Sequence, residues 1–422
     1  MNRIGQTTQK SKRKSEVVRV IKVQEYEGMK VDAKVALIQE LIPLGLMKVK
    51  EELQAEVNRL AGERYNRTQE YGRHGENVGS VVLAGQRVRI EVPRVRDYQR
   101  GIEIPLEVYQ GLHAGTGVEE SALKRVLKGL SMRDYREASL AIPEALGLSS
   151  SNISRKFIRA SLRKLNALME RDLSPEDFVV LILDGKSFAE DQLITALGIT
   201  MKGKKVMLGF IEAKTENKTV MEDFLKRLLE RGFHIEEGIL VVIDGSKGFY
   251  HAVKNVFHRR AVIQRCQWHK RENVVKYVSK KDQPELRGRL QKAYERPNYE
   301  ESRTQLLKIR KELEEKNLSA VASLDEGFEE TLTLHRLGVF GLVGESLKTV
   351  NCMESIHAQV EQRCSRVDYW RNSSQRQRWL AAVLLDIEPR LRNIKGHRHL
   401  PKLREAIQRE LGLQPMNLKE AA

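Results

Sequence analysis

Two acidic residues end matched apolar runs. Residues 178–184 read FVVLILD and residues 238–244 read GILVVID, and glycine follows each aspartate. An unbroken apolar run of this kind suits a strand buried on both faces, which would deliver Asp184 and Asp244 to strand ends. Two carboxylates brought together repel unless a cation joins them. Mg²⁺ prefers a few carboxylates plus waters and substrate phosphate oxygens. Two such ions about 4 Å apart can activate an attacking oxygen and stabilise a leaving one. Each aspartate alone has a plainer reading: Asp-Gly is a common turn, and Asp244 can cap a helix starting near Ser246.

A third carboxylate, Glu354, lies in Thr349-Val350-Asn351-Cys352-Met353-Glu354-Ser355-Ile356-His357. Asn351, Glu354, Ala358 and Glu361 share one helical face, opposite Met353, Ile356 and Val360. A helix packed beside a sheet would therefore aim Glu354 away from the core. Asn351 followed three residues later by Glu354 is also a capping-box pattern, which needs no catalysis. Cys266-Gln267-Trp268-His269 looks like half a zinc site, but zinc takes three or four ligands. The other cysteines, Cys352 and Cys364, are distant in sequence and lie beside Glu354. Cys266 and His269 are read as a structural motif; no positioned base is evident that would make Cys266 a nucleophile.

The elements that must place these residues follow from periodicity. After the first apolar run, 193–200 and 205–212 flank the polar turn Met201-Lys202-Gly203-Lys204 and predict a hairpin. Val220, Phe224, Leu228 and Met221, Leu225, Leu229 recur at helical spacing. The second apolar run, a helix at SKGFYHAVKNVF and a strand at 261–266 complete the order β, hairpin, α, β, α, β. That order predicts a mixed sheet with helices laid on it, as in ribonuclease H-like folds. The first and fourth strands of such a sheet are neighbours, so Asp184 and Asp244 would converge. Residues 281–345 carry Leu286, Leu290, Tyr294, Leu306, Leu307, Leu313 and Leu318 on charged helices and predict an all-helical insertion. Residues 346–395 return to apolar helix patterning with Trp370 and Trp379, and 396–422 read as a polar, peripheral tail.

Upstream, the patterns suit nucleic acid. Residues 1–30 hold eight Lys or Arg and three acids with little apolar periodicity, which predicts a flexible basic arm. Residues 31–128 combine helices with a β-hairpin. Within 33–64, Pro43 and Gly45 are expected to split the helical run in two. Within 78–96, Val88, Ile90 and Val92 alternate with Arg87, Arg89 and Glu91 around Ala84-Gly85-Gln86, giving a hairpin with one basic face. That face could follow a phosphate backbone or simply be solvated. Residues 129–172 suggest a helix-turn-helix, with Gly147 at the turn and Ser149 or Ser150 capping the second helix. Ile153 and Phe157 would pack inward, leaving Ser151, Asn152, Arg155 and Lys156 for a DNA groove or its phosphates. The catalytic core is then expected in two parts, 173–280 and 346–395.

Composition sets outer limits. The chain has 422 residues, 74 Lys and Arg against 57 acids, and a net charge of +17. Such an excess points to a polyanion (DNA, RNA or a membrane surface) or to a solubilising surface charge. No apolar run approaches the roughly 18 residues of a membrane span. The first residues lack the apolar segment of a secretory signal, and three cysteines make no disulfide framework, which fits a reducing cytosol.

Taken together, Leu183-Asp184-Gly185-Lys186, Ala196-Leu197-Gly198, Val242-Ile243-Asp244-Gly245-Ser246-Lys247-Gly248, Gln264-Arg265-Cys266-Gln267-Trp268-His269-Lys270, Thr349–Glu354 and the Trp370–Trp379 segment WRNSSQRQRW resemble Mutator-type bacterial insertion-sequence transposases over residues 130–395. The resemblance implies a ribonuclease H-like catalytic domain interrupted by the helical insertion. It implies a DDE triad of Asp184, Asp244 and Glu354 that binds two Mg²⁺ (or Mn²⁺) ions, with Cys266 and His269 as the family's C-x-x-H signature. The implied partners are double-stranded DNA, both element ends and target, and further copies of the chain, at least a homodimer, in the bacterial cytoplasm at the nucleoid. His357 departs from the family, which usually has asparagine there. The same fold and metals would also serve a structure-selective nuclease, and a helix-turn-helix alone would serve a non-enzymatic regulator.

Deleting residues 1–30 should weaken binding to all DNA and flatten its salt dependence while keeping any preference for element ends. Phosphate contacts act through counterion release and carry little sequence information. Competition binding at two salt concentrations measures both effects.

Overall fold

The computed structural model describes residues 31–65, 70–83, 86–114, 117–133, 149–188, 190–213, 218–365, 367 and 369–413. They fall into two compact units, one comprising the chain up to Val118 together with Arg133–Ser150 and the other comprising Glu119–Met132 and the chain from Ser151 on. The expected basic arm, and Gly147 with the first helix and turn of the expected helix-turn-helix, lie outside the described residues.

The first unit is a three-stranded antiparallel sheet in the order β1-β2-β3, with β1 Tyr71–Leu83, β2 Gln86–Asp97 and β3 Glu103–Ile104. Helix α1 (Val31–Ala61) lies across it, and α2 (Glu107–His113) follows β3. The expected break at Pro43 and Gly45 does not occur, for α1 runs through both. A proline in a helix forfeits one hydrogen bond and tends to kink it, whereas the face Val49, Leu53, Val57 and Ala61 is buried against Val81, Ile90, Val92 and Val95 of the sheet. That burial outweighs the single lost bond. Glu56, itself buried, accepts the Glu107 and Val108 amides at 2.7 and 3.1 Å, so a carboxylate from α1 neutralises the N-terminus of α2. In β2, Val88, Ile90 and Val92 are buried and Arg89 is exposed, as the alternation predicts.

The second unit takes in α3 (Gly117–Leu127) from Glu119 on, and then α4 (Ser150–Met169). Its centre is a mixed five-stranded sheet in the order β6-β5-β4-β7-β8, built from β4 Phe178–Phe188, β5 Asp191–Thr200, β6 Lys205–Ala213, β7 Ile239–Ile243 and β8 Ala261–Arg265. β4 pairs antiparallel with β5 and parallel with β7, so the two apolar runs are neighbours. Leu181, Leu183, Ile239, Val241 and Ile243 bury one face against α5 (Lys218–Glu230) and α6 (Lys247–Phe257). Helix α7 (Gln267–Val275) follows β8. The segment from α8 to α13 (α8 Gln283–Tyr294, α9 Tyr299–Glu314, α10 Leu318–Asp325, α11 Phe328–Thr331, α12 Thr333–Arg336, α13 Phe340–Leu347) is helical. It builds a core of its own around Leu290, Leu306 and Leu324 together with Val274 and Val275. Leu306 and Leu313 are buried there, whereas Leu307 and Leu318 turn to solvent.

Helices α14 (Asn351–Cys364), α15 (Ser373–Ile387) and α16 (Leu400–Leu411) pack against sheet strands, α14 on β4, α15 on β6 and α16 on β4, β7 and β8. Residues 400–411 are therefore no peripheral tail. Leu400, Leu403 and Ile407 recur on one helical face and are wholly buried. Beside them, buried Arg404 pairs with Asp177 at 2.7 Å and donates to the Phe178 carbonyl at 2.8 Å. A short amphipathic face inside a polar stretch is easily read as surface. No helix among the described residues is long and apolar enough to cross a membrane.

Arg231, half-buried and without a carboxylate partner in its hydrogen bonds, donates to the carbonyls of Arg171, Leu208 and Leu168 at 3.0, 2.8 and 2.9 Å. It ties the end of α4 to β6. Arg231→Ala should lower stability by about 3 kcal/mol, because it strands several partly buried acceptors at once. Thermal unfolding of the two proteins checks this; an unchanged melting temperature would mean that the carbonyls are hydrated instead.

Candidate active site

The parallel ladder of β4 and β7 runs to Leu183 opposite Ile243, so Asp184 and Asp244 follow it at the same end; Asp244 leaves its strand there, whereas β4 runs on to Phe188 against β5, so Asp184 does not end a strand as expected. Asp184 is buried, at 4% exposure, and lies opposite Thr195 of β5. Asp244 is half-buried at the turn into α6, where its Oδ1 accepts the Ser246 amide at 2.9 Å. This is a local Asx turn; Ser246 is the N-cap residue of α6 and no side chain caps that end, so the helix-capping alternative for Asp244 is not formed. Arg265, at the end of β8, donates to the Gly245 carbonyl at 3.2 Å and holds the same turn from the other side.

Helix α14 brings the third carboxylate. Val350, not Asn351, is the N-cap residue, and no side chain caps this end of the helix. The Asn351 amide turns to Thr349 Oγ1 at 3.4 Å, so the capping-box pairing of Asn351 with Glu354 is not formed. Glu354 instead faces His269, with Oε1 3.6 Å from Nε2. One helical turn later, His357 reaches into the sheet. Its Nδ1 lies 3.3 Å from Asp184 Oδ2 and its Nε2 3.2 Å from Thr195 Oγ1. With the imidazole proton on Nδ1, it donates to the carboxylate while Nε2 accepts the Thr195 hydroxyl. The ring is 3% exposed, so these two contacts fix both it and Asp184. Glu354 and His357 thus link α14 to two different parts of the chain, α7 and β4.

Cys266 stands at the junction of these parts. Its amide donates to the Ile243 carbonyl at 2.8 Å, extending the β7–β8 pairing by one residue, and the next amide, of Gln267, donates to the Lys348 carbonyl at 2.9 Å. The thiol is fully buried, and burial pushes its pKa up to about 11 although the nearby His269, Val350 and Trp268 amides pull the other way. A neutral thiol is a poor nucleophile. His269, four positions into the same segment, directs one ring nitrogen to Glu354 and leaves Nδ1 buried without a hydrogen-bond partner. It is therefore part of the carboxylate site as well as of the segment that supports it.

Among the described residues no group of three or more His, Cys, Asp or Glu side chains is gathered as a metal-holding cluster. The two aspartates share one sheet edge; Glu354 is turned to His269. As donors, the three carboxylates are hard oxygen ligands, the set that Mg²⁺ or Mn²⁺ takes, and no soft ligand stands in their place.

The expected DNA-contact residues divide between the units. Arg87 donates to Ser80 Oγ at 3.0 Å and to the His113 carbonyl at 3.2 Å, bracing its own hairpin, while Arg89 is exposed. On α4, Ile153 and Phe157 are buried, Ser151 and Arg155 are exposed, and Asn152 and Lys156 are half-buried. Arg155 donates to Asn152 Oδ1 at 2.8 Å. Pattern reading missed the role of His357, although a signal was present: Met353, His357, Val360 and Cys364 keep the spacing of an inward-facing stripe, and a polar residue on such a stripe calls for a partner. Nothing in the sequence pointed to Thr195.

The family model described as Transposase, Mutator family matches residues 7–392, and the chain belongs to that family. It is 26% identical over 344 residues to the transposase for insertion sequence element IS256 in transposon Tn4001 of Staphylococcus aureus, covering 78% of this chain and 84% of that protein. It is 26% identical over 398 residues to the transposase for insertion sequence element ISRM5 of Rhizobium meliloti (strain 1021), covering 90% and 96%. It is 27% identical over 244 residues to the transposase for insertion sequence element IS6120 of Mycolicibacterium smegmatis, covering 56% and 74%.

Burial pushes Cys266 and Cys352 up to about 11 and Cys364 up to about 12, from an ordinary 9.0. Thiols raised in the folded state stabilise it fully below their unfolded pKa, and that stability is lost as pH rises through the folded values. Native protein at pH 8 should therefore leave the buried Cys266 and Cys364 unreactive to a thiol-disulfide reagent until it is denatured. Its melting temperature should fall between about pH 9 and pH 11. Rapid native labelling of Cys266 would contradict the buried placement.

Proposed function

We propose that this protein is a DNA transposase that binds the inverted repeats of its insertion sequence, nicks a strand by metal-dependent hydrolysis and joins the freed 3′-OH to target DNA. The observation that carries the chemistry is the placement of Asp184 and Asp244 just past the last pair of the parallel β4–β7 ladder, with the helix bearing Glu354 packed on the same strand as Asp184. Membership of the family supplies the substrate class. The arrangement suits a ribonuclease H-like catalytic domain, and Asp184, Asp244 and Glu354 are the residues that would hold two Mg²⁺ or Mn²⁺ ions. When bound, such ions activate an attacking oxygen and stabilise a leaving one in an in-line displacement.

The chain's own groups do the rest. His357 and Thr195 hold the Asp184 carboxylate in one orientation. The Asx turn at Ser246 does the same for Asp244. His269 holds Glu354 near the edge and would release it toward a cation. Because water and the 3′-OH can serve in turn as nucleophile, the scheme needs no covalent link between protein and DNA. The exposed Arg89, with Arg87 beside it, and Ser151, Asn152, Arg155 and Lys156 on α4 are the proposed DNA contacts, α4 being the recognition helix of a helix-turn-helix. Holding two element ends together calls for a homodimer or larger assembly on DNA, at the nucleoid in the cytoplasm.

Asp184→Asn, Asp244→Asn and Glu354→Gln should each abolish Mg²⁺-dependent cleavage of end DNA and leave DNA binding within about twofold, since each removes a ligand charge with little change of shape. Labelled end DNA incubated with a target plasmid reads both steps. Joined products support the transposase, cleavage without joining would make the protein a nuclease, and binding without cleavage a regulator. His357→Asn should retain more cleavage than His357→Ala, because an amide can still donate to Asp184. Equal loss in the two variants, with equal melting temperatures, would remove His357 from the site.

A further inference from the structure

The segment between Trp370 and Trp379 has no task in the scheme so far, and its first residue, Trp370, borders a cavity of about 180 Å³ one of whose walls, His357, touches Asp184. The cavity's walls are Phe188 and Lys186 from β4, Leu193 from β5 and His357 and Val360 from α14, with Trp370 closing one side. Phe188 and Trp370 have ring centroids 5.4 Å apart at an interplanar angle of 55°, so they form an angled platform. Behind it the aromatic contacts continue: Trp370 meets Trp379 edge-on at 6.2 Å, and Trp379 meets Phe157 of α4 at 4.8 Å. Trp379 and Phe157 are buried while Phe188 and Trp370 are only partly covered. The series is thus rooted in the interior and ends in a face open to the cavity. At the rim, Lys186 and Glu361 form an ion pair at 2.6 Å, offering donors and a carboxylate acceptor above an apolar floor.

We propose that this cavity receives a single unstacked nucleobase of the DNA strand being cut. The reading rests on the function proposed above. Its support is position and chemistry together. His357 is both a wall of the cavity and the group touching Asp184, so a nucleotide whose phosphate lies at the carboxylates has its own or its neighbour's base within reach of the platform. A base inside a duplex cannot enter a concave site; it must leave the stack, and aromatic side chains offset that cost by replacing the lost stacking. The polar edge of the base would then meet Lys186 and Glu361, while Leu193 and Val360 pack along the ring. Withdrawing one base at the cut would also keep the freed 3′-OH in place for the second displacement.

Substrates with a single abasic site at each nucleotide flanking the cut test this in the full-length protein. Trp370→Ala should cut intact end DNA about tenfold more slowly than wild type, the order expected for losing one aromatic–base stack. Trp370→Phe should stay within about threefold, because it keeps a stacking face. An abasic site at one particular position should bring Trp370→Ala back to within about threefold of wild type, since a missing base has no stacking to lose. Were Trp370 only structural, Trp370→Ala would lose the same factor on every substrate and its melting temperature would fall in step; that result overturns the proposal, as does undiminished cleavage of intact DNA by Trp370→Ala. If wild type cuts none of these substrates, the transposase reading fails and the base site with it. If wild type cuts them and no abasic position rescues Trp370→Ala, the base site alone fails.

Discussion

The parallel pairing of β4 with β7 is the constraint on which the site depends. Leu181 and Leu183 of β4 and Val241 and Ile243 of β7 pack under α5 and α6, and the alternate residues Val180, Ile182, Leu240 and Val242 are equally buried on the other face. A strand covered on both sides cannot slip by one residue without exchanging its two faces. In β4 and β7 such a slip would also separate Leu183 from Ile243. The apolar packing of the two strands therefore does more than stabilise the sheet. It sets where two carboxylates emerge, and it makes the edge at which they emerge the same.

The chain leaves this sheet after β8, builds the helical segment from α8 to α13, and must return with Glu354 in place. The return is secured by ordinary main-chain bonds. Cys266 extends the pairing of β7 with β8 and Gln267 fastens the approach to α14 through Lys348. The outer side of β8 is held by the short helices before α13: Gln264 donates to the Thr331 carbonyl at 2.9 Å, and Thr333 donates to the Ile263 carbonyl at 2.7 Å. These contacts cover part of an edge that would otherwise offer a ladder to another chain. The helical segment is thereby anchored at both ends to the strands that carry the site, whatever its own surface does.

Each acidic group at the edge has a specific partner: His357 for Asp184, the Ser246 amide for Asp244, His269 for Glu354. A buried carboxylate without such a partner would be costly, and the partners differ in how firmly they hold. Asp184 is enclosed with a ring that is itself pinned by Thr195. Glu354, 39% exposed at its side chain, faces a histidine at a distance beyond a normal hydrogen bond. The site thus combines one fixed carboxylate with one that has room to turn.

Much of this was written locally in the sequence. The unbroken apolar runs announced strands covered on both faces, the polar turn at 201–204 announced the hairpin of β5 and β6, and helical spacing marked α5, α6 and α14, because a side chain's periodicity reports the face it must bury. The order of those elements was enough to anticipate that β4 and β7 would be neighbours. Periodicity does not name the partner of a buried polar group, and this is where the tertiary structure decided. That His357 meets Asp184 and Thr195, and that His269 turns to Glu354, depends on segments far apart in the chain meeting at one edge. The continuity of α1 through Pro43 and the burial of α16 have the same origin. In each, a surface supplied by another part of the chain outweighed a local signal, since a few buried apolar side chains contribute more than one lost hydrogen bond or a polar stretch takes away.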